Sequence, residues 1–159
     1  MDIINMPNYP ERWLIPIKEI RQHLKGVRIK DWDRKKNVII ERELESKEIN
    51  KLILHWKDMV MYGKQHFKNA FTPGIMCDRP YLIVSAVKDS HICDFCKVFH
   101  HKVIRSGEPY AAQFFPPFHL GCRCTMYTLS ERELKRDKLV ESWPDIELPD
   151  LFQAPVCIL

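Results

Sequence analysis

Cys93-Asp94-Phe95-Cys96 and, after 22 intervening residues, His119-Leu120-Gly121-Cys122-Arg123-Cys124 form the stretch on which the reading of the fold turns. A C-x-x-C turn lets two thiolates face one centre. A second turn with His and Cys three apart can close a tetrahedron on Zn²⁺, which favours N and S ligands in four-coordinate sites. Four of the six cysteines fall within 32 residues, beside that histidine. Two disulfides between the turns, or cysteines acting as small apolar core residues, are the competing accounts. The spacing favours one zinc site drawn from Cys93, Cys96, His119, Cys122 and Cys124. Cys93, Cys96 and His119 are the firm members. H-x-x-C spacing points to Cys122 as the fourth, while Cys124, two residues on, would share its face on a strand, so both stay open here. Five candidates for four places argue for a closed structural ion, because a catalytic zinc keeps one position for water.

Composition sets the frame around this site. The chain has 159 residues, room for one domain or for one domain with an arm. With 45% hydrophobic and 29% charged residues it has the make-up of a folded globular chain. The start, Met1-Asp2-Ile3-Ile4-Asn5, has no basic segment followed by an apolar one, so no secretory signal is expected. The longest nearly apolar run, residues 81–87, is far short of the roughly 20 residues of a spanning helix, so no membrane contact is expected. A reducing compartment then makes metal ligation a more natural fate for the thiols than disulfides. Net charge is +4, weak support for a polyanionic partner.

Working outward from the cysteine turns, residues 81–87 read as a buried strand that delivers the chain to Asp89 and the first turn. Lys97-Val98-Phe99 and Lys102-Val103-Ile104 read as short strands, and Ser106-Gly107-Glu108-Pro109 as a turn. Phe114-Phe115-Pro116-Pro117-Phe118 leads into His119 and should wall the site off from water. Thr125-Met126-Tyr127-Thr128-Leu129 reads as a last strand, and Ser130-Glu131-Arg132-Glu133 as a capping box opening a helix that Trp143-Pro144 ends.

Upstream, Ile49, Leu52, Ile53, Trp56, Met59, Val60, Gly63 and Phe67 repeat at helical spacing, the mark of a long amphipathic helix. Phe71-Thr72-Pro73-Gly74 follows as a turn. Pro16 opens a short helix through Ile17, Ile20 and Leu24 that Gly26 stops, preceded by an irregular lead-in over residues 1–15. Two strands around Val27-Arg28-Ile29 and Val38-Ile39-Ile40 enclose a basic loop, 31–37. Lys30, Trp32, Arg34, Lys35 and Lys36, with Arg123 from the cysteine turn, combine cations with an aromatic and form a candidate nucleic-acid contact; a solvated hairpin is the plainer account. The tail, 144–159, interleaves Pro144, Pro149 and Pro155 with Ile146, Leu148, Leu151, Phe152, Val156, Ile158 and Leu159. It reads as an extended arm for its own domain or a neighbouring subunit. Cys157 lies three residues from the end and not four, the wrong place for a prenylation box.

The expected architecture is α+β: a small zinc-stabilised β module on a long helix, with an extended C-terminal arm. Three segments follow: 1–40 with a helix and the basic hairpin, 41–143 with the long helix and zinc module, and 144–159. Zinc deaminases need H-x-E before P-C-x-x-C, and zincins need H-E-x-x-H; neither occurs. A ββα-type nuclease using His100 and His101 for a second metal has little room, since they follow Cys96 by four and five residues. No enzyme is expected.

At these residues the chain resembles the C-terminal module of phage head morphogenesis proteins, the Mu F-like minor head proteins. Their pattern is an apolar strand, an acidic residue, C-x-x-C, a hairpin, a proline-rich approach and H-P-x-C-R-C. Here residues 81–87, Asp89, Cys93, Cys96, Pro116, Pro117, His119, Cys122, Arg123 and Cys124 match it, over about residues 45–128. Leu120 stands where the family has proline, and His100-His101 where it tends to have an Asp-Gly turn. The resemblance implies a structural zinc module in a minor virion component. Such a protein would act in head assembly or DNA packaging and ejection, found in the virion and, during assembly, in the host cytoplasm. Its partners would be portal or capsid subunits reached through residues 144–159, with DNA contact possible. A zinc-ribbon-like nucleic-acid-binding protein is the alternative, with a small zinc nuclease or toxin behind it.

Overall fold

A strand that is apolar at every position must be covered on both faces, because alternate side chains point to opposite sides. Tyr81, Leu82, Ile83 and Val84 are all buried, and they form the middle of the fold. The computed structural model describes residues 6–143, 145 and 147–159. In chain order these form a 3-10 turn (Glu11–Leu14), α1 (Ile17–Leu24), β1 (Arg28–Asp33), β2 (Val38–Glu43), α2 (Ser46–Ala70), α3 (Pro73–Asp78), β3 (Tyr81–Ser85), α4 (Asp94–Phe99), β4 (Val103–Arg105), a second 3-10 turn (Ala111–Phe114), β5 (Thr125–Leu129) and α5 (Glu131–Arg136). The class is α+β. What the sequence leads one to expect of Met1 to Asn5, Pro144 and Ile146 falls outside the described residues.

β3 is the central strand of a three-stranded antiparallel sheet, ordered β4-β3-β5. Ile83 lies opposite Val103 on one side and Tyr127 on the other. Leu82 and Val84 face the main core, shared with Leu52, Trp56 and Phe67 of α2 and Met126 of β5. Tyr81 and Ile83 face the other way, onto Val103, Leu129 and Leu134 of α5. The expected helical stripe is buried as read, from Ile49 to Phe67, with Met59 half-buried. The main core also takes Trp13, Ile20 and Leu24 from the first segment and Leu151 from the last, so one core spans all three proposed segments.

Several local expectations needed correction. Residues 97–99 belong to α4, not to a strand, because the Cys93 sulfur accepts from Cys96 N–H at 3.3 Å and so caps a helix. The turn at 71–74 continues into α3, with Pro73 at its first position, where a missing N–H costs nothing. Asp31 and Trp32 pair with Ile40 and Ile39, which shortens the basic loop to 34–37. α5 stops at Arg136, well before Trp143, because Lys138 adopts φ +54° and Leu139 N–H returns to Leu134 C=O at 3.0 Å, a helix-ending arrangement. The C-terminal segment lies on its own domain: Leu151 and Ala154 are buried, and Lys51 Nζ on α2 donates to Leu159 C=O at 3.0 Å. No helix among the described residues is long and apolar enough to cross a membrane.

The lead-in is clamped to the proline-rich approach. Arg12 Nε donates to Pro117 C=O at 2.8 Å and Nη1 to Gln113 C=O at 2.7 Å, while Nη2 donates to Phe115 C=O. Burial pulls its pKa down to about 10. Gly63 on α2 is the place where these parts converge. A Cβ there would meet Pro116 C=O at 2.8 Å and the Trp13 ring at 3.1 Å.

Glu133 closes the α5 capping box, accepting from Ser130 N–H at 2.8 Å, and it also meets Arg79 at 2.8 Å. The Ser130 backbone and hydroxyl, then Arg79, lower its carboxyl from 4.5 to about 2. A lowered folded-state pKa contributes stability that is full above the unfolded value and lost as pH falls through the folded one. Glu133→Gln should therefore lower the urea midpoint at pH 7, and the gap from wild type should close between pH 4.5 and about 2. A gap unchanged at pH 2 would assign the effect to packing and not to charge.

Candidate metal centre

Two turns and the C-terminal segment bring four sulfurs to one histidine, with a fifth, that of Cys124, buried alongside. β3 ends beside the first turn, where Asp89 accepts from Arg123 through both oxygens, at 2.6 Å each, and from His91 N–H at 2.9 Å. This bidentate pair pins the first cysteine turn to the second and holds the Asp89 carboxyl well below its usual range. Gly121, with φ +82°, reverses the second turn, and Cys122 N–H bonds to His119 C=O at 3.0 Å. His55 on α2, given no role from sequence, donates from Nε2 to Cys122 C=O at 2.8 Å and fastens this turn to the main helix.

His119 is fully buried. Its Nδ1–H is spent on Leu120 C=O at 2.9 Å, which leaves the Nε2 lone pair facing the thiols. Cys96 Sγ lies 2.9 Å and Cys93 Sγ 3.3 Å from that nitrogen, and Cys96 Sγ is 3.9 Å from Cys122 Sγ. A tetrahedral ion with bonds of about 2.3 Å to sulfur and about 2.0 Å to nitrogen has edges of about 3.8 Å between sulfurs and about 3.6 Å from sulfur to nitrogen. The sulfur-to-sulfur spacing of 3.9 Å matches that edge, whereas the sulfur-to-nitrogen spacings of 2.9 and 3.3 Å are shorter, so an ion would have to push these groups slightly apart. Cys96, His119 and Cys122 lie mutually within 4.8 Å and are all buried; so do Cys93, His119 and Cys157, of which the two cysteines are half-buried. These groups could hold a metal ion.

Without a cation the cluster is electrically crowded. Hydrogen bonds from Cys157 and then Cys96 drive the Cys93 thiol down, while Cys122 and Cys124 drive Cys96 up. Burial alone would raise Cys122, yet hydrogen bonds from Cys124 and then Cys96 bring it down. Cys157 is pushed up by Cys93. Neighbouring thiols cannot all be anionic at once, and a divalent ion is the species that lets them be. The second sphere is apolar: Phe95 meets the His119 ring edge-on at 5.7 Å between centroids, and Phe115 and Phe118 are buried as expected of the aromatic approach.

Of the predicted ligands, Cys93, Cys96, His119 and Cys122 are brought together. Cys124 is buried alongside, its N–H bonding to Cys122 Sγ at 3.5 Å, but belongs to neither group. Cys157 was missed; one cysteine 33 residues beyond Cys124 carries no ligand spacing, and only the path of the tail reveals it. Arg123 was read as a nucleic-acid contact, but its guanidinium is engaged by Asp89. Lys30, Trp32, Arg34, Lys35 and Lys36 are all exposed on the hairpin. His100 and His101 stack on each other at 3.8 Å, and His100 Nδ1 accepts from Ala86 N–H at 3.1 Å. Among the described residues, neither joins a metal-ligating group.

If Cys122 and not Cys124 bonds the ion, Cys122→Ser should lower metal content well below one per chain by elemental analysis, while Cys124→Ser leaves it near one. His55→Ala should weaken affinity by about 10- to 100-fold, the usual cost of an orienting partner. No protein-family model, no curated protein and no solved structure matches the chain.

Proposed function

We propose that the cluster is a structural zinc centre, with Cys96, His119, Cys122 and the Cys93 thiol around one ion, and that the protein is a non-enzymatic minor head protein of a tailed phage. The observation that carries the structural role is the closure of the site. Cys96, His119 and Cys122 are all buried, and only a gap of ≈ 10 Å³ remains beside them, next to Cys93, Gly121 and Cys157. Thiolate and imidazole ligands in a buried tetrahedral setting suit Zn²⁺ over hard cations such as Mg²⁺ or Ca²⁺.

The virion reading rests on the motif resemblance. The ordered strand, acidic residue, knuckle and ligand turn are consistent with it. In this reading the protein sits in the particle and, before assembly, in the host cytoplasm, where it acts in head morphogenesis or DNA packaging and ejection. Its contact with portal or capsid subunits falls on the C-terminal segment, whose Phe152 and Ile158 are 39% and 38% exposed. Purified chain should carry one zinc, and stripping it with a chelator should unfold the region around the knuckle by circular dichroism and hydrogen exchange. Phe152→Asp with Ile158→Asp should leave zinc content intact and reduce recovery of the protein in sedimented particles. Equal recovery would remove the segment from the particle contact, and a stable metal-free chain would remove the zinc.

A second reading, nucleic-acid binding, is favoured by one observation. Trp32 is 51% exposed, with Ile39 opposite it 67% exposed, and Lys30, Arg34, Lys35 and Lys36 surround them. An exposed ring among cations is a stacking platform beside a phosphate track. It predicts single-stranded DNA binding that falls steeply with salt and drops by about 10-fold or more in Trp32→Ala, read by fluorescence anisotropy.

A further inference from the structure

Four thiols flank one imidazole nitrogen, and a tetrahedral ion bonded to that nitrogen has room for three of them. Cys96 and Cys122 are fully buried with His119 and make a fixed inner seat. The other two thiols are both half-buried and both within 4.8 Å of a His119 ring nitrogen and of each other. One of them, Cys93, caps α4. The other, Cys157, comes from the C-terminal segment. We propose that Cys93 and Cys157 share the fourth coordination position, so that the ion latches residues 147–159 onto the knuckle. This rests on the metal reading above and extends it to Cys157.

The segment is built to reach the ion. Cys157 N–H donates to Leu120 C=O at 3.0 Å, within the turn that carries His119 and Cys122. Gly121 lets it lie there: a Cβ at that position would come within 1.9 Å of Cys157 C=O. Leu151 and Ala154 are anchored in protein on one side of Cys157, and Lys51 holds Leu159 on the other. The thiol is therefore placed by contacts along the whole segment, which is how a ligand from a distant stretch is oriented.

Exchange between the two thiols balances without an external reagent. The bond from the ion to the Cys157 sulfur forms as that to the Cys93 sulfur breaks, and the proton leaving Cys157 passes to the departing Cys93 thiolate. Neither net charge nor oxidation state changes. A filled d shell imposes no directional preference, so Zn²⁺ accepts either donor.

The test uses the full chain loaded with Co²⁺, whose sulfur-to-metal charge-transfer absorption scales with the number of bound thiolates, and Zn²⁺ competition for affinity. Cys93→Ser and Cys157→Ser should each keep one ion per chain at the wild-type three-thiolate intensity. The double variant should fall to about two thirds of it and lose at least about 100-fold more affinity than the two single losses multiplied. Metal-loaded Cys157→Ser should also show faster amide exchange across residues 151–158, with far-UV circular dichroism checking that it folds. If Cys93→Ser alone matches the double variant while Cys157→Ser is silent in both readouts, Cys93 is the sole fourth ligand and the latch is overturned. Failure of the wild-type chain to bind either ion overturns the metal reading itself, and the latch with it.

Discussion

The structure depends on keeping a buried imidazole nitrogen and several buried thiols face to face. Each of these groups is costly to bury unpaired, and together they repel if ionised. Every nearby element is arranged to make that meeting possible. β3 aims the chain at the first turn, the Asp89–Arg123 pair joins it to the second, and His55 ties the second to α2. Leu120 C=O takes the one proton that would otherwise point His119 the wrong way. A structural ion in such a place is worth roughly 10 to 16 kcal/mol in small modules. That compares with about 5 to 15 kcal/mol for the net stability of a whole domain. The sheet of three short strands, one only three residues long, is a modest scaffold by comparison.

The remainder of the fold is conventional burial, and it divides into two unequal parts. The larger core joins α1, α2, one face of the sheet, the aromatic approach and the C-terminal segment. The smaller lies under α5 on the opposite face. The metal seat sits at the edge of the larger one, with Cys96, Cys122 and Cys124 counted among its side chains. Thiols here pack as small apolar residues while standing where they could bind an ion, so the two accounts of these cysteines do not exclude each other.

Legibility followed the range of the physical signal. α2 was readable because its apolar periodicity is repeated over about five turns, β3 because four successive apolar residues have few other uses, and α5 because Ser130 and Glu133 are a local device. The cluster of Cys93, Cys96 and His119 with Cys122 or Cys124 was legible because metal geometry constrains spacing within a turn, though that spacing left the choice between the last two open. α4 was misread: Lys97, Val98 and Phe99 look like a strand until the Cys93 sulfur is seen as a helix cap. α3 hid behind Pro73 and Gly74, which mark a turn and a helix start equally well. Cys157 and His55 were illegible for a deeper reason. Their roles depend on where a proline-rich segment and a long helix come to rest, and no local pattern encodes that.

The Arg12 clamp ties the timing of assembly to the length of the chain. Its guanidinium serves carbonyls 101 to 105 residues away, so during synthesis it waits, solvated, until the proline-rich approach has left the ribosome. Leu151, which fills the same core, arrives later still. Ligand-bearing turns made in between thus emerge before their walls are complete, while the thiols are still open to water. If the cluster binds an ion, capture would precede final closure, and a nascent chain starved of metal would be left with its sulfurs exposed at the moment they are most easily lost to oxidation.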